Sequence, residues 1–210
     1  MSETFLLNLL EVPVFYINLD IDIGKKEKIE ELLYSSGFKN INRFSGIKED
    51  VKRVGVAKSH NALLKEISGI SMPCLVLEDD ILLNKLVTEI EVPNNADAYY
   101  IGNSVWGLYG GQGQTKISLE KYDDHTYRIY NMLAAHAIIY FNKDYVKFLE
   151  QATRFNISIK TNQDKARAET MKYWNVYAAK DPVFYQAGAH EKFTKISLPP
   201  RRHVGAGGAF

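Results

Sequence analysis

The chain is 210 residues long, with 46% apolar, 24% charged and 12% aromatic residues. These are ordinary globular values, which exclude a disordered chain, a collagen and a coiled coil. Lys plus Arg number 26 against 25 Asp plus Glu, a formal net charge of +1, without the excess expected of a protein that binds nucleic acid mainly by charge. A single cysteine, Cys74, permits no intrachain disulfide and implies no oxidising compartment.

In chain order, Met1 to Val12 is apolar in part but lacks a basic start and carries Glu3 and Glu11, so it makes a poor signal peptide. No stretch approaches the roughly 18 apolar residues of a membrane span. The expectation is a soluble, cytoplasmic protein of one domain over residues 1–210. Strands alternate with amphipathic helices, which predicts an α/β fold. Val14-Phe15-Tyr16-Ile17 is apolar throughout, as in a strand covered on both faces, and ends at Asn18-Leu19-Asp20. A helix follows from about Lys25, with Ile29, Leu32 and Leu33 on one face and Gly37 as its stop. Asn40 to Phe44 makes a short strand, and Gly55 to Ile67 a helix with His60, Leu63, Leu64 and Ile67 on one face. Pro73 opens the strand Cys74-Leu75-Val76-Leu77, which runs straight into Glu78-Asp79-Asp80.

Ala98 to Ile101 is a further strand, ending at Gly102-Asn103-Ser104. The glycines at 107, 110, 111 and 113 mark a flexible loop. Tyr127–Tyr130 and Ala137–Phe141 read as strands. Asn142 or Asp144 can cap the helix that carries Tyr145, Phe148, Leu149 and Ala152. Asp164 to Trp174 reads as helical and Val176 to Ala178 as a strand stopped by Asp181-Pro182. The tail at 191–210, with Arg201-Arg202-His203 and three glycines, is predicted to be irregular.

The strongest chemical signal is Glu78-Asp79-Asp80. Three acidic residues leaving a buried strand repel one another and lose hydration. A Mg²⁺ or Mn²⁺ ion held by their hard oxygens would offset both costs, and strand ends of open α/β sheets are where ligands bind. The same run also reads as a solvated acidic turn. Asn18 and Asp20 can hydrogen-bond a nucleobase or ribose, or form an Asx turn. Lys25 can meet a diphosphate at a helix start. Ser59-His60 lies inside a helix, where a histidine is commonly a satisfied core residue. Asp164 is either an N-cap or a general base. His136, His190 and His203 are further possible ligands or bases, and Trp106 could stack on a sugar face. The phosphate loop GxxxxGK[ST], the dinucleotide fingerprint GxGxxG, HExxH, CxxC and the GxSxG elbow are all missing from the sequence.

Taken in order, these pieces resemble glycosyltransferase family 25, which includes lipooligosaccharide and collagen galactosyltransferase-like enzymes. The matching stretches are Val14 to Asp20, Arg43-Phe44, Gly55-Val56-Ala57-Lys58-Ser59-His60, Cys74 to Asp80, Ala135 to Tyr140, Asp164, and Val176-Tyr177-Ala178 before Pro182. Together they span about residues 13–190. The resemblance implies a GT-A-type, Rossmann-like mixed sheet flanked by helices, a nucleotide-sugar donor such as a UDP-sugar, and Mn²⁺ or Mg²⁺ on a DxD-type motif. By that match Glu78 and Asp80 hold the metal, with His203 as a further candidate ligand. Asn18, Asp20, Lys25, Ser59, His60 and Asp79 would bind the donor, Asn103 and Trp106 the acceptor, and Asp164 would be the base. The acceptor could be a glycan, a protein or a hydroxylated DNA base. Where the family has arginines after its INLD stretch, this chain has Ile21 to Lys26, and a lysine cannot reproduce a bidentate arginine clamp. A metal-dependent nucleotidyltransferase and a catalytically silent binding domain remain as alternatives.

Overall fold

The computed structural model of the chain describes residues 3–104, 106–108 and 117–187. In chain order the elements are β1 (Thr4–Asn8), β2 (Val14–Asn18), α1 (Ile23–Ser35), β3 (Ile41–Ser45), α2 (Lys52–Ile67) and β4 (Cys74–Glu78). Then come β5 (Ile81–Leu83), β6 (Glu89–Pro93), β7 (Ala98–Tyr100), β8 (Ser118–Lys121), β9 (Thr126–Asn131) and β10 (Ala137–Tyr140). The last are α3 (Lys143–Ser158), α4 (Gln163–Thr170), β11 (Val176–Ala179) and β12 (Phe184–Gln186).

Eight strands form one mixed sheet in the order β3-β2-β4-β10-β7-β11-β9-β8. β2 runs parallel to both β3 and β4, and β7 runs parallel to β11, while β10 is antiparallel to β4 and β7. The fold is therefore the expected α/β class, a Rossmann-like mixed sheet with helices on its faces. Strand alternation divides the core in two. Cys74 and Val76 of β4 face one layer with Leu63, Leu64 and Ile67 of α2 and Tyr145, Val146 and Leu149 of α3. Leu75 and Leu77 face the other, with Val14 and Tyr16 of β2 and Ile29 and Leu33 of α1.

The helix ends follow local chemistry. Gly37 takes φ +91° after α1, with Phe38 N–H on Leu33 C=O and Gly37 N–H on Tyr34 C=O, a Schellman closure that only glycine enters cheaply. At the start of α3, Asn142 Oδ1 accepts from Asp144 N–H at 2.8 Å and Tyr145 N–H at 3.4 Å. α2 starts three residues ahead of the expected Gly55, because exposed Lys52 and Arg53 carry no apolar periodicity. The expected helix to Trp174 stops at Thr170 and tightens into a 3₁₀ turn over Met171–Tyr173.

Five strands escape a reading by periodicity. β5 and β12 have three residues each and pair only with one another, too short for alternation to register. β1 and β6 form their own two-stranded ribbon, with Leu6 60% exposed. β8 is four residues long and half charged.

Asn142 also donates from Nδ2 to Asp97 Oδ1 at 2.6 Å, and Asp97 Oδ2 accepts from Asn175 N–H. One side chain therefore joins α3 to the ends of β7 and β11. Asn142→Ala removes the cap and strands a buried carboxylate oxygen, so it should cost about 2 kcal/mol, read as a lower urea midpoint at unchanged slope.

Candidate functional site

The acidic run acquires its geometry from the pleat of β4. Glu78 continues the series Cys74, Val76 and so faces α2, while Asp79 turns to the α1 side. Glu78 Oε1 meets His60 Nε2 of α2 at 2.8 Å. Asp79 is held at 2.8 Å by Asn18 Nδ2, from the end of parallel neighbour β2, and at 3.1 Å by Lys25 Nζ. Asp80 lies beyond the strand, where Gln186 of β12 reaches it. Gln186 Nε2 is 3.0 Å from Glu78 Oε2 and 3.3 and 3.1 Å from the two Asp80 oxygens.

These groups form the floor of a cleft of about 840 Å³, within the range of small-molecule and cofactor sites. Lys48, Lys52 and Arg53, from the β3–α2 loop and the start of α2, line one side, and Leu133 to His136 line another. Asp164, at the start of α4, also lines it. Its Oδ1 is shut away from solvent without a hydrogen-bond partner.

The carboxylates differ electrostatically. Burial raises the Glu78 pKa, but the hydrogen bond from His60 and the fields of His60, His136 and Arg167 outweigh it, so Glu78 sits below the usual carboxylate range. Asp80 is pushed up to about 6, by burial first and by the Glu78 charge second. Asp164 is raised, chiefly by burial, against the opposing field of Arg167. Burial leads in holding the His60 pKa below its ordinary value.

The oxygens of Glu78 and Asp80 are of the hard type that divalent cations take. Three oxygens, one from Glu78 and two from Asp80, converge on a single neutral NH₂ donor. Asp80, hydrogen-bonded by that one neutral donor and set beside the Glu78 charge, is under-compensated, and oxygen ligands favour Mg²⁺ or Mn²⁺. Among the described residues, no group of three or more His, Cys, Asp or Glu side chains is disposed to hold a metal. A cation here would take its remaining oxygens from its ligand. His203 and most of the Gly-rich loop, 109–116, lie outside the described residues, as does His190.

Several expected donor or acceptor residues are otherwise engaged. Asp20 does not line the cleft; it projects outward, held by Arg43 Nη2 at 2.6 Å and Ser45 Oγ at 2.9 Å. Asn18 lines the cleft, but its amide is committed to Asp79 and to Arg43 Nε, so it positions Asp79. Ser59 Oγ accepts from Ile47 N–H and donates to the Gly55 carbonyl, stapling the β3–α2 loop to α2. Both ring nitrogens of His60 are taken by protein, Nδ1 by Arg167 at 3.3 Å. Asn103 is buried and donates to the Ala179 carbonyl at 2.6 Å. It does not line the cleft. Trp106 is 41% exposed and also lies off the cleft lining, its carbonyl accepting from Leu133 N–H. Gln186 and Arg167 were not legible as site residues. Neither belongs to a local motif, and both arrive through tertiary packing.

No family model matches the chain, and no curated protein does. Among solved structures it is similar to the nucleoside-diphosphate-sugar pyrophosphorylase of Vibrio cholerae RC9, with a TM-score of 0.46 and 14% identity over 80% of this chain and 72% of that one. Among the described residues, no helix is long and apolar enough to cross a membrane.

The raised Asp80 has a consequence for stability. Between about pH 4 and 6 the folded chain keeps a proton on Asp80 that the unfolded chain has lost, so this group's contribution falls as pH rises through that window. Asp80→Asn should stabilise the ligand-free protein at pH 7 by about 3 kcal/mol, a rise in thermal midpoint of roughly 6–12 °C, and by little at pH 4. Melting curves at the two pH values check this, and an equal shift at both would refute it.

Proposed function

We propose that the chain is a metal-dependent glycosyltransferase, moving a sugar from a nucleotide-diphosphate-sugar donor to an acceptor hydroxyl with inversion. One observation carries the reading. The cleft that holds Glu78 and the under-compensated Asp80 also holds a separate carboxylate, Asp164, with a buried, unpartnered oxygen. The first pair suits a cation on a leaving diphosphate, and the second group suits a general base.

Asp80 and Glu78 would hold Mn²⁺ or Mg²⁺, which supplies Lewis-acid charge for the departing nucleotide. The remaining roles belong to the chain's own residues. Lys48, Lys52 and Arg53 on the cleft wall give positive charge for the donor's phosphates. The Asp164 carboxylate takes the proton of the acceptor hydroxyl as the new glycosidic bond forms on the face opposite the leaving group. Its pKa, raised chiefly by burial, makes it a stronger base than a solvated aspartate. A UDP-sugar is the first donor to test, and a glycan, a protein or a hydroxylated DNA base remains the acceptor.

The same cationic wall favours one second reading, a metal-dependent nucleotidyltransferase that binds a nucleoside triphosphate and attacks phosphorus instead of carbon. The products separate the two, since glycosyl transfer releases a nucleoside diphosphate and nucleotidyl transfer exchanges pyrophosphate.

Thermal stabilisation by UDP-, GDP-, dTDP- and CMP-sugars, each with and without Mn²⁺, should show a shift that needs one nucleotide and the metal together. Asp164→Asn should retain that shift and lower turnover by roughly 10²–10⁴-fold, the range of general-base contributions. Normal turnover in Asp164→Asn removes it as the base, and no shift with any donor leaves a binding domain without transferase activity.

A further inference from the structure

Behind the cleft floor lies a buried cation that nothing in the sequence reading used. Arg167 of α4 is fully buried. Its guanidinium meets three neutral groups: Gln163 Oε1, Tyr140 Oη at 3.2 Å, and His60 Nδ1 at 3.3 Å. Arginine has five N–H donors, no acceptor, and does not lose its proton in proteins. Its contact with His60 therefore requires a lone pair on Nδ1. The proton of the imidazole must then sit on Nε2, which donates to Glu78 Oε1 at 2.8 Å. A proton on Nδ1 would set two N–H groups head to head inside the core.

We infer that Arg167 is a positioning residue that locks His60 in its Nε2–H tautomer, so that one oxygen of Glu78 is held from behind by the imidazole while the other meets Gln186. The chain of contacts runs Arg167 to His60 to Glu78, from α4 through α2 to the end of β4. Each link has a single donor direction. Oε1 is held by the imidazole, and Oε2 accepts from Gln186 Nε2 at 3.0 Å. Among the described residues, the Asp80 side chain meets Gln186 alone, through both its oxygens. The two carboxylates of the site are thus unequal by construction, Glu78 held by the imidazole behind it and Asp80 by one neutral amide. The tautomer stands on hydrogen-bond geometry alone, whereas its effect on a bound cation rests on the transferase reading.

The test is a long-range ¹H–¹⁵N correlation spectrum of protein labelled at histidine nitrogens, at one pH, with His60→Gln identifying the His60 signals. The expected wild-type spectrum has Nδ1 as the unprotonated nitrogen and Nε2 protonated. Arg167→Met, which removes the donor, should convert His60 to the other tautomer or to a mixture, and Arg167→Lys should retain the wild-type pattern if the ammonium reaches Nδ1. In parallel, Mn²⁺ alone is titrated by calorimetry. Arg167→Met and His60→Gln should each weaken it about 10-fold or more, the usual effect of losing a group that orients a ligand. A wild-type Nδ1–H tautomer overturns the proposal whatever the variants do, so the test survives a variant that fails to fold. An unchanged tautomer in folded Arg167→Met overturns it too. The Nε2–H tautomer with no Mn²⁺ binding in wild type keeps the lock and refutes the metal-dependent reading instead.

Discussion

The site depends on β4 carrying its two-residue alternation one step beyond the apolar core. Within the strand that alternation sorts Cys74 and Val76 from Leu75 and Leu77 and so feeds both layers of the sheet. At the C-terminal end it sorts carboxylates instead. Glu78 is sent toward α2 and Asp79 toward α1, and Asp80 falls past the strand beside β12. Glu78 therefore meets α2 and β12, Asp79 meets β2 and α1, and Asp80 meets β12. Had the three stayed on one face they would have repelled one another at close range without enough donors to hold them. Hydrogen bonding to β2 on one side and β10 on the other keeps β4 central, so the position of these groups is as rigid as the sheet itself.

Compensation of the buried charge is distributed unevenly around that strand end. Arg167 supplies a full positive charge from inside the core, and His60 transmits its hydrogen-bond direction to Glu78. A buried guanidinium is costly unless its donors are met and an anion lies near, and Tyr140, Gln163 and His60 meet them. Asp79 is served by the Lys25 ammonium, half exposed and so weak as a source of stability. The Asn18 amide, buried and fixed by Arg43, does more to orient Asp79.

Much of this was legible in the sequence because it is local. The apolar run of β2, the buried run of β4, the α2 face with His60, the Gly37 stop and the Asn142 cap all follow from periodicity and capping chemistry within a few residues. The cleft's acidic floor was legible for the same reason. What was not legible came from residues joined only by the fold. Gln186 sits on a three-residue strand 106 positions from Asp80, and Arg167 meets His60 across 107. A polar residue in a short strand or a helix interior carries no signal of the partner it will find. The same limit explains Asp20 and Asn103. Each follows a strand end where ligands commonly bind, but Arg43 holds Asp20 and the Ala179 carbonyl holds Asn103.

The inequality between Glu78 and Asp80 bears on why the fold keeps so costly an arrangement. A carboxyl raised from 3.8 to about 6 withholds roughly 3 kcal/mol at neutral pH, a considerable share of the 5–15 kcal/mol that holds a typical domain together. An asparagine at that position would relieve the penalty and could still meet the amide of Gln186. Stability alone therefore does not account for Asp80. On the proposed reading, a cation between Asp80 and the already anionic Glu78 would turn that repulsion into attraction. Glu78, kept anionic by the groups behind it, would then provide one charge and Asp80 the second, so that binding the ion would also relieve the cost of the pair.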